Sequence, residues 1–211
     1  VSMRQNWMDF EEVMELCYAL DVGQISYNRM SPTGGAVHEI ARLLPDIEHV
    51  TSNLDTAERL GRRWQMPVAT AMPIPPCLVS IERYDWVQFG FCSTGSESPN
   101  LTIDPSGNVR SCNLSDGVLG NIVDEDWSTI YPRIKKYQSE FVDEVPDLCK
   151  GCTYERSCQG GCKESAFATF GDHAHPEPFV FSAMNPGWRQ ELADQQREQL
   201  DCPGATMGAA E

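Results

Sequence analysis

Cysteine is the residue type best placed to do chemistry in this chain: nine occur in 211 residues. Four fall in one run, Cys149, Cys152, Cys158 and Cys162, spaced C-x2-C-x5-C-x3-C. Upstream, Cys92 and Cys112 bracket Gly107 in the pattern C-x14-G-x4-C. Clustered thiolates are soft donors that suit zinc or iron–sulfur clusters. A zinc ribbon also uses C-x2-C, but follows it with a second C-x2-C or a Cys/His pair. Here the later steps are longer, and two thiols lie upstream around a glycine turn. Six thiols in this order read as ligands of two iron–sulfur clusters, with a structural zinc domain as the alternative. Gly151, inside the C-x2-C step, suits backbone amides that donate to cluster sulfurs. Gly160-Gly161, just before Cys162, would let the backbone pass close to a cluster.

The elements that must position these thiols follow from the apolar pattern. Val1–Asn6 reads as a short strand and Trp7–Leu20 as an amphipathic helix, with Trp7, Phe10, Val13, Met14, Cys17 and Leu20 on its inward face. Cys17 is therefore a core residue rather than a ligand. A second strand is expected over Gln24–Met30, a turn at Pro32–Gly35, a helix over Asp55–Trp64 and a third strand over Met66–Ala71. Alternating strands and helices predict parallel α/β architecture. Asn28, Arg29 and the Gly34-Gly35 turn lie at the C-terminal end of a strand, the edge where such folds collect ligands. Proline-rich Pro67–Pro76 suggests a domain boundary, and Ile74-Pro-Pro-Cys77 cannot continue a helix. Beyond it, Leu101–Val109 reads as a β-hairpin turning at Asp104–Gly107, which brings Cys112 back toward Cys92. Trp127–Glu140 is a helix expected to break near Pro132, Arg189–Leu200 is a polar helix, and Pro203–Glu211 reads as a disordered tail.

Sixteen basic against 31 acidic side chains give a net charge of −15. That excludes a phosphate-tracking nucleic-acid surface, and would favour a basic partner. No apolar run is long enough to span a bilayer, so no membrane partner is expected. No secretion signal opens the chain. Unpaired, clustered thiols without such a signal point to the reducing cytoplasm. The chain begins at Val1 rather than Met, which suggests a fragment or a processed product.

The cysteine string, together with DPSGNVRSC, LGNIVDEDW and CQGGCKESAFATFGD, resembles the SPASM domain of radical SAM maturases over about Cys92 to Pro178. Val1 to about Met72 is similar to the last strands and helices of the radical SAM partial barrel. The resemblance implies an α/β fold: the C-terminal part of a partial (β/α) barrel over 1–76, then a small α+β cysteine-rich cluster domain over 77–185, then a polar helix and tail over 186–211. It implies two auxiliary 4Fe-4S clusters with interleaved ligands, Cys92, Cys112 and Cys162 for the first, and Cys149, Cys152 and Cys158 for the second. Each then needs a fourth ligand or keeps an open iron. Cys77 is a candidate for the first cluster. For the second, the family's last cysteine falls at Val180, so Cys202, Asp172, His173, His175 and Glu177 become candidates.

S-adenosylmethionine and a third 4Fe-4S cluster belong, in that family, to a C-x3-C-x2-C motif near the start of the barrel. This sequence has C-x3-C at Cys158 and Cys162 but no cysteine two residues on. It therefore reads as the C-terminal part of such an enzyme, inactive alone, with Asn28, Gly34 and Gly35 at the S-adenosylmethionine edge of the barrel. The implied substrate is a peptide or protein, with a basic leader to suit the charge, and the implied reductant is a ferredoxin or flavodoxin. An auxiliary cluster would accept an electron from a substrate radical or bind substrate. A non-catalytic iron–sulfur module for electron transfer or docking is the reading from another class.

Overall fold

Three short strands, Ile25–Tyr27 (β1), Val68–Thr70 (β2) and Val87–Phe89 (β3), make an all-parallel sheet in that order. They belong to a computed structural model that describes residues 1–94, 96 and 99–200. The sheet is preceded or crossed by helices α1 (Phe10–Ala19), α2 (Ile40–Leu43) and α3 (Ile47–Trp64). Parallel neighbours need a crossover, and α3 is the one between β1 and β2. It buries Val50, Leu54, Ala57 and Leu60, one stripe at steps of three and four.

Local chemistry explains where these elements differ from expectation. The long helix starts at Ile47 rather than Asp55, because extended Asp46 after Pro45 forms its N-cap. Asp46 N–H donates to His49 Nδ1 at 3.2 Å. The strand expected at Val1–Asn6 is a single bridge from Ser2 to Arg29. The first helix opens as a 3-10 turn at Trp7–Asp9. Met14 is fully buried, Phe10 and Cys17 pack on the core, and Val13 and Leu20 stay exposed. Strand β3, which the sequence did not announce, rejoins the sheet after the proline-rich turn. The Glu58 carboxylate on α3 accepts the N–H groups of Trp86 at 2.8 Å and Val87 at 3.1 Å, fixing where β3 begins.

A second sheet is antiparallel: Thr102–Ile103 (β4), Asn108–Arg110 (β5) and Val118–Asn121 (β6). The expected hairpin is present. Gly107 turns it with φ +84° and donates to the Asp104 carbonyl at 2.9 Å. Helix α4 (Trp127–Asp143) covers this sheet, with Ile130 and Ile134 against Val109. It runs through Pro132, where a break was expected. Buried Ile130, Ile134, Gln138 and Phe141 lie on both sides of the proline, so packing holds one helix despite the missing N–H.

Four helices end the described chain: α5 (Glu155–Cys158), α6 (Lys163–Phe170), α7 (Pro178–Met184) and α8 (Trp188–Leu200). Phe179 on α7 sits in the core of the parallel sheet, and Trp188 and Leu192 pack on it. The C-terminal helices thus fold back on the N-terminal layer. Among the described residues, no helix is long and apolar enough to cross a membrane.

Asp104 shows how the hairpin is held. It accepts from Ser106 N–H at 2.9 Å, from Asn108 Nδ2 at 3.0 Å and from Arg110 Nη2 at 3.1 Å. These donors, Asn108 first, hold its carboxyl down from 3.8 to about 2. A carboxyl lowered on folding supports the fold fully above its unfolded pKa and loses that support as pH falls through the folded one. The hairpin should therefore loosen between pH 3.8 and about 2. An NMR titration of Asp104 checks this: a midpoint of 3.8 would mean that the turn contacts do not persist in solution.

Candidate metal centre

Two cavities collect the cysteines. Cys92, Cys112 and Cys162 line one, with Asn28, Lys163 and Glu164 on its wall. Cys77, Cys149, Cys152 and Cys158 line the other, among Pro75, Pro76, Leu148 and Val180. Among the described residues, no group of three or more His, Cys, Asp or Glu side chains is drawn together as ligands of a single metal ion.

The first set comes from three elements. Cys92 follows β3, whose exit is fixed by Gly90: its N–H donates to the Thr70 carbonyl at 3.0 Å, and a Cβ there would collide with that oxygen. Cys112 follows β5 after the hairpin has folded back, and its Sγ accepts Leu114 N–H at 3.4 Å. Cys162 is the N-cap of α6, where Ala166 N–H meets its carbonyl at 3.1 Å. Lys163, next in sequence, donates to the Phe141 carbonyl, and burial lowers its pKa to about 8.

The second set is mostly local. Cys149 closes a 3-10 turn at Asp147–Cys149. Cys152 N–H returns to the Cys149 carbonyl at 3.1 Å, and its Sγ accepts Tyr154 N–H at 3.4 Å. Gly151 between them takes φ +77°, which the tight C-x2-C turn requires. Cys158 ends α5.

The x3 spacer between Cys158 and Cys162 sorts the two sets. Gln159, Gly160 and Gly161 are all left-handed, with φ of 54°, 81° and 99°. That run separates two cysteines close in sequence and gives each to a different cavity. Both glycines are sterically required. A Cβ on Gly160 would lie 2.6 Å from Pro146 Cγ, and one on Gly161 would overlap the Glu177 carboxylate.

Glu177 is itself fully buried and receives Arg29 Nη2. Arg29 also donates to the Pro73 carbonyl through Nε at 3.2 Å and Nη2 at 2.9 Å, and its guanidinium lies 4.6 Å from the Phe179 ring centre. Burial pushes the Glu177 carboxyl up, and Arg29 opposes it.

The other candidates from the sequence fall elsewhere. Asn28 lines the first cavity, but its Oδ1 accepts Ala71 N–H at 3.0 Å and Met72 N–H at 2.9 Å, tying β1 to β2. Gly34 and Gly35 open a 3-10 turn at Gly34–Glu39 and face open space. Cys77 sits with Cys149, Cys152 and Cys158, not with Cys92 as expected. Asp172 accepts Ala174 N–H at 2.8 Å, His173 stacks on Phe167 at 4.5 Å, and His175 packs on Phe170 at 3.8 Å. None of these, nor Glu177, lines the cavity of Cys149. Cys202 lies outside the described residues. What sequence reading missed was the buried pair, although Arg29 at a strand end and Glu177 beside Pro178 were both in view.

The donor sets fit iron–sulfur chemistry: several thiols on each cavity wall, with few competing oxygen or nitrogen donors in the second. Burial first, and then neighbouring charges, raise the free thiols, Cys112 and Cys149 to about 11 and Cys158 and Cys162 to about 12. They are neutral before a metal binds, and each releases its proton on coordination.

Residues 92–153 match the SPASM family, an iron-sulfur cluster-binding domain. The chain is 24% identical over 187 residues to a PqqA peptide cyclase of Rhodopseudomonas palustris, covering 84% of this chain and 47% of that protein. It is 25% identical over 213 residues to a PqqA peptide cyclase of Rhizobium meliloti, covering 96% of this chain and 52% of that protein. The chain thus spans about half the length of the curated relatives it matches. The resemblance to radical SAM enzymes with a SPASM domain, drawn from the cysteine spacing, holds.

Replacing Glu177 by Leu leaves Arg29 buried without its partner, which should cost about 3–5 kcal/mol of stability. The double variant R29M/E177L should regain most of that loss. Anaerobic urea unfolding measures both; a negligible loss in the single variant would mean that the pair is not closed in solution.

Proposed function

We propose that this chain, which carries a SPASM domain, is the auxiliary-cluster part of a radical SAM enzyme that modifies a peptide. The observation that carries the reading is the division of the thiols between two cavities. It supports two 4Fe-4S clusters, one held by Cys92, Cys112 and Cys162, the other by Cys149, Cys152 and Cys158. When bound, such clusters supply one-electron chemistry, with potentials set by charge, hydrogen bonds and solvent exposure.

The chain's own residues set those conditions. Buried Cys158 and Cys162 keep their sulfurs from water. Lys163 puts a cation on the wall of the first cavity, where it offsets thiolate charge. Pro75, Pro76, Leu148 and Val180 make the second cavity largely apolar.

The parallel sheet, with α3 crossing between β1 and β2, supports a partial (β/α) barrel over 1–76, with β3 as a further strand beyond it. Val13 and Leu16, which α1 leaves exposed, and Leu20 at its C-cap suit a helix with a further neighbour. We assign 77–185 to the cluster domain and 186–200 to an appended helix; the tail expected over Pro203–Glu211 lies outside the described residues. Production of a 5′-deoxyadenosyl radical, with S-adenosylmethionine and a third 4Fe-4S cluster, would fall to protein outside these 211 residues. Asn28, at the end of β1 and on the wall of the first cavity, marks the edge that would face it. The relatives' name supports a peptide substrate, and the charge of −15 supports a basic leader on it. A ferredoxin or flavodoxin would supply the electron that this radical production consumes.

The test is iron, acid-labile sulfide and zinc per chain after anaerobic reconstitution. About eight irons and eight sulfides are expected, from two cubanes. Cys112→Ala and Cys149→Ala should each lower the iron at one site. Zinc without sulfide would overturn the reading.

A further inference from the structure

The second cavity holds one more thiol than its three local cysteines supply. Cys77 lies on its wall with Cys149, Cys152 and Cys158. Val180 lies on the same wall and is 2% exposed. A valine has no donor atom. We propose that Cys77, reaching in from before the SPASM domain, is the fourth ligand of the second cluster. This deepens the two-cluster reading and rests on it.

The turn that presents Cys77 is well anchored. Leu78 and Val79 donate their N–H groups to the Pro75 carbonyl at 3.0 and 3.2 Å. Ile74 and Val79, on either side, are 1% and 3% exposed. Pro75 and Pro76 remove backbone freedom between them. The turn is therefore fixed at both flanks, with an exposed thiol at its tip. The oxygen donors nearby are engaged: Glu155 accepts Gly151 N–H at 2.5 Å, and Tyr154 donates to Glu82. Among the described residues of this cavity, Cys77 is the remaining soft donor. Coordination forms one iron–sulfur bond and releases the thiol proton to solvent, so no oxidant or reductant is consumed.

The test compares wild type, Cys77→Ala, the double variant C77A/V180C and Cys149→Ala, each reconstituted anaerobically as the full chain. Iron and sulfide are measured per chain. Electron paramagnetic resonance follows mild oxidation, and iodoacetamide labelling of Cys77 is timed before and after reconstitution. The expected result has three parts. C77A loses about one iron per chain and gives a three-iron signal on oxidation, because one iron is left without a thiolate. C77A/V180C regains that iron. Cys77 in the wild type labels more slowly once iron is bound. Since Cys77 is exposed, its loss should leave circular dichroism unchanged. If C77A keeps full iron and Cys77 labels equally fast in both states, while C149A still loses iron, the ligand assignment is wrong and the two-cluster reading stands. If C149A also keeps its iron, or the wild type takes up none, that reading fails and takes this one with it.

Discussion

One buried ion pair, Arg29 with Glu177, joins the parallel sheet to the loops that carry the thiols. Both side chains are fully buried, so each charge relies on the other, and Arg29 relies also on the Pro73 carbonyl. Taking two charges out of water is costly, and the cost is recovered only when their geometry is closely set. Here the geometry sets other things in turn. The Glu177 carboxylate occupies the space beside Gly161, and Phe179, two residues on, carries α7 into the core of the sheet. The glycine, the acid and the arginine are one unit, drawn from three distant parts of the sequence.

Around that unit the chain solves a sorting problem. Neighbouring cysteines in a sequence tend to share a site. Three successive left-handed residues, Gln159 to Gly161, prevent this for Cys158 and Cys162. The strand exits do the complementary work for distant cysteines. Gly90 at the end of β3 and the hairpin turn at Gly107 bring Cys92 and Cys112 to the cavity of Cys162, although many residues separate them.

Much of this was legible in the sequence, and the parts that were not have physical causes. The hairpin could be read because Asp104-Pro-Ser-Gly107 is local turn chemistry. The strand–helix–strand order of β1, α3 and β2 was also readable, although the helix begins at Ile47 rather than Asp55. Strand β3 could not be read, because Val87–Phe89 is short and its start is fixed by Glu58, far away on α3. Pro132 misled because its local cost is offset by burial on both sides, which only the tertiary structure supplies. At the site, spacing drew attention to six thiols and their family, and the two cavities group those thiols as the resemblance implied. Cys77, a candidate partner of Cys92 by sequence, lines the other cavity. Nothing in the order of residues says which way a proline-rich turn faces.

The boundary between cavities and the boundary of the matched domain do not coincide. The matched stretch ends at residue 153, after Cys152 and before Cys158. A fragment excised along that line would take Cys92 and Cys112 from one set and Cys149 and Cys152 from the other. It would leave behind the thiols that complete each, together with Glu177 and the helix that seats it. Evolutionary likeness here outlines a stretch of sequence. The unit that could be inherited, grafted or expressed intact is larger, and runs from the arginine at the end of β1 to the phenylalanine on α7.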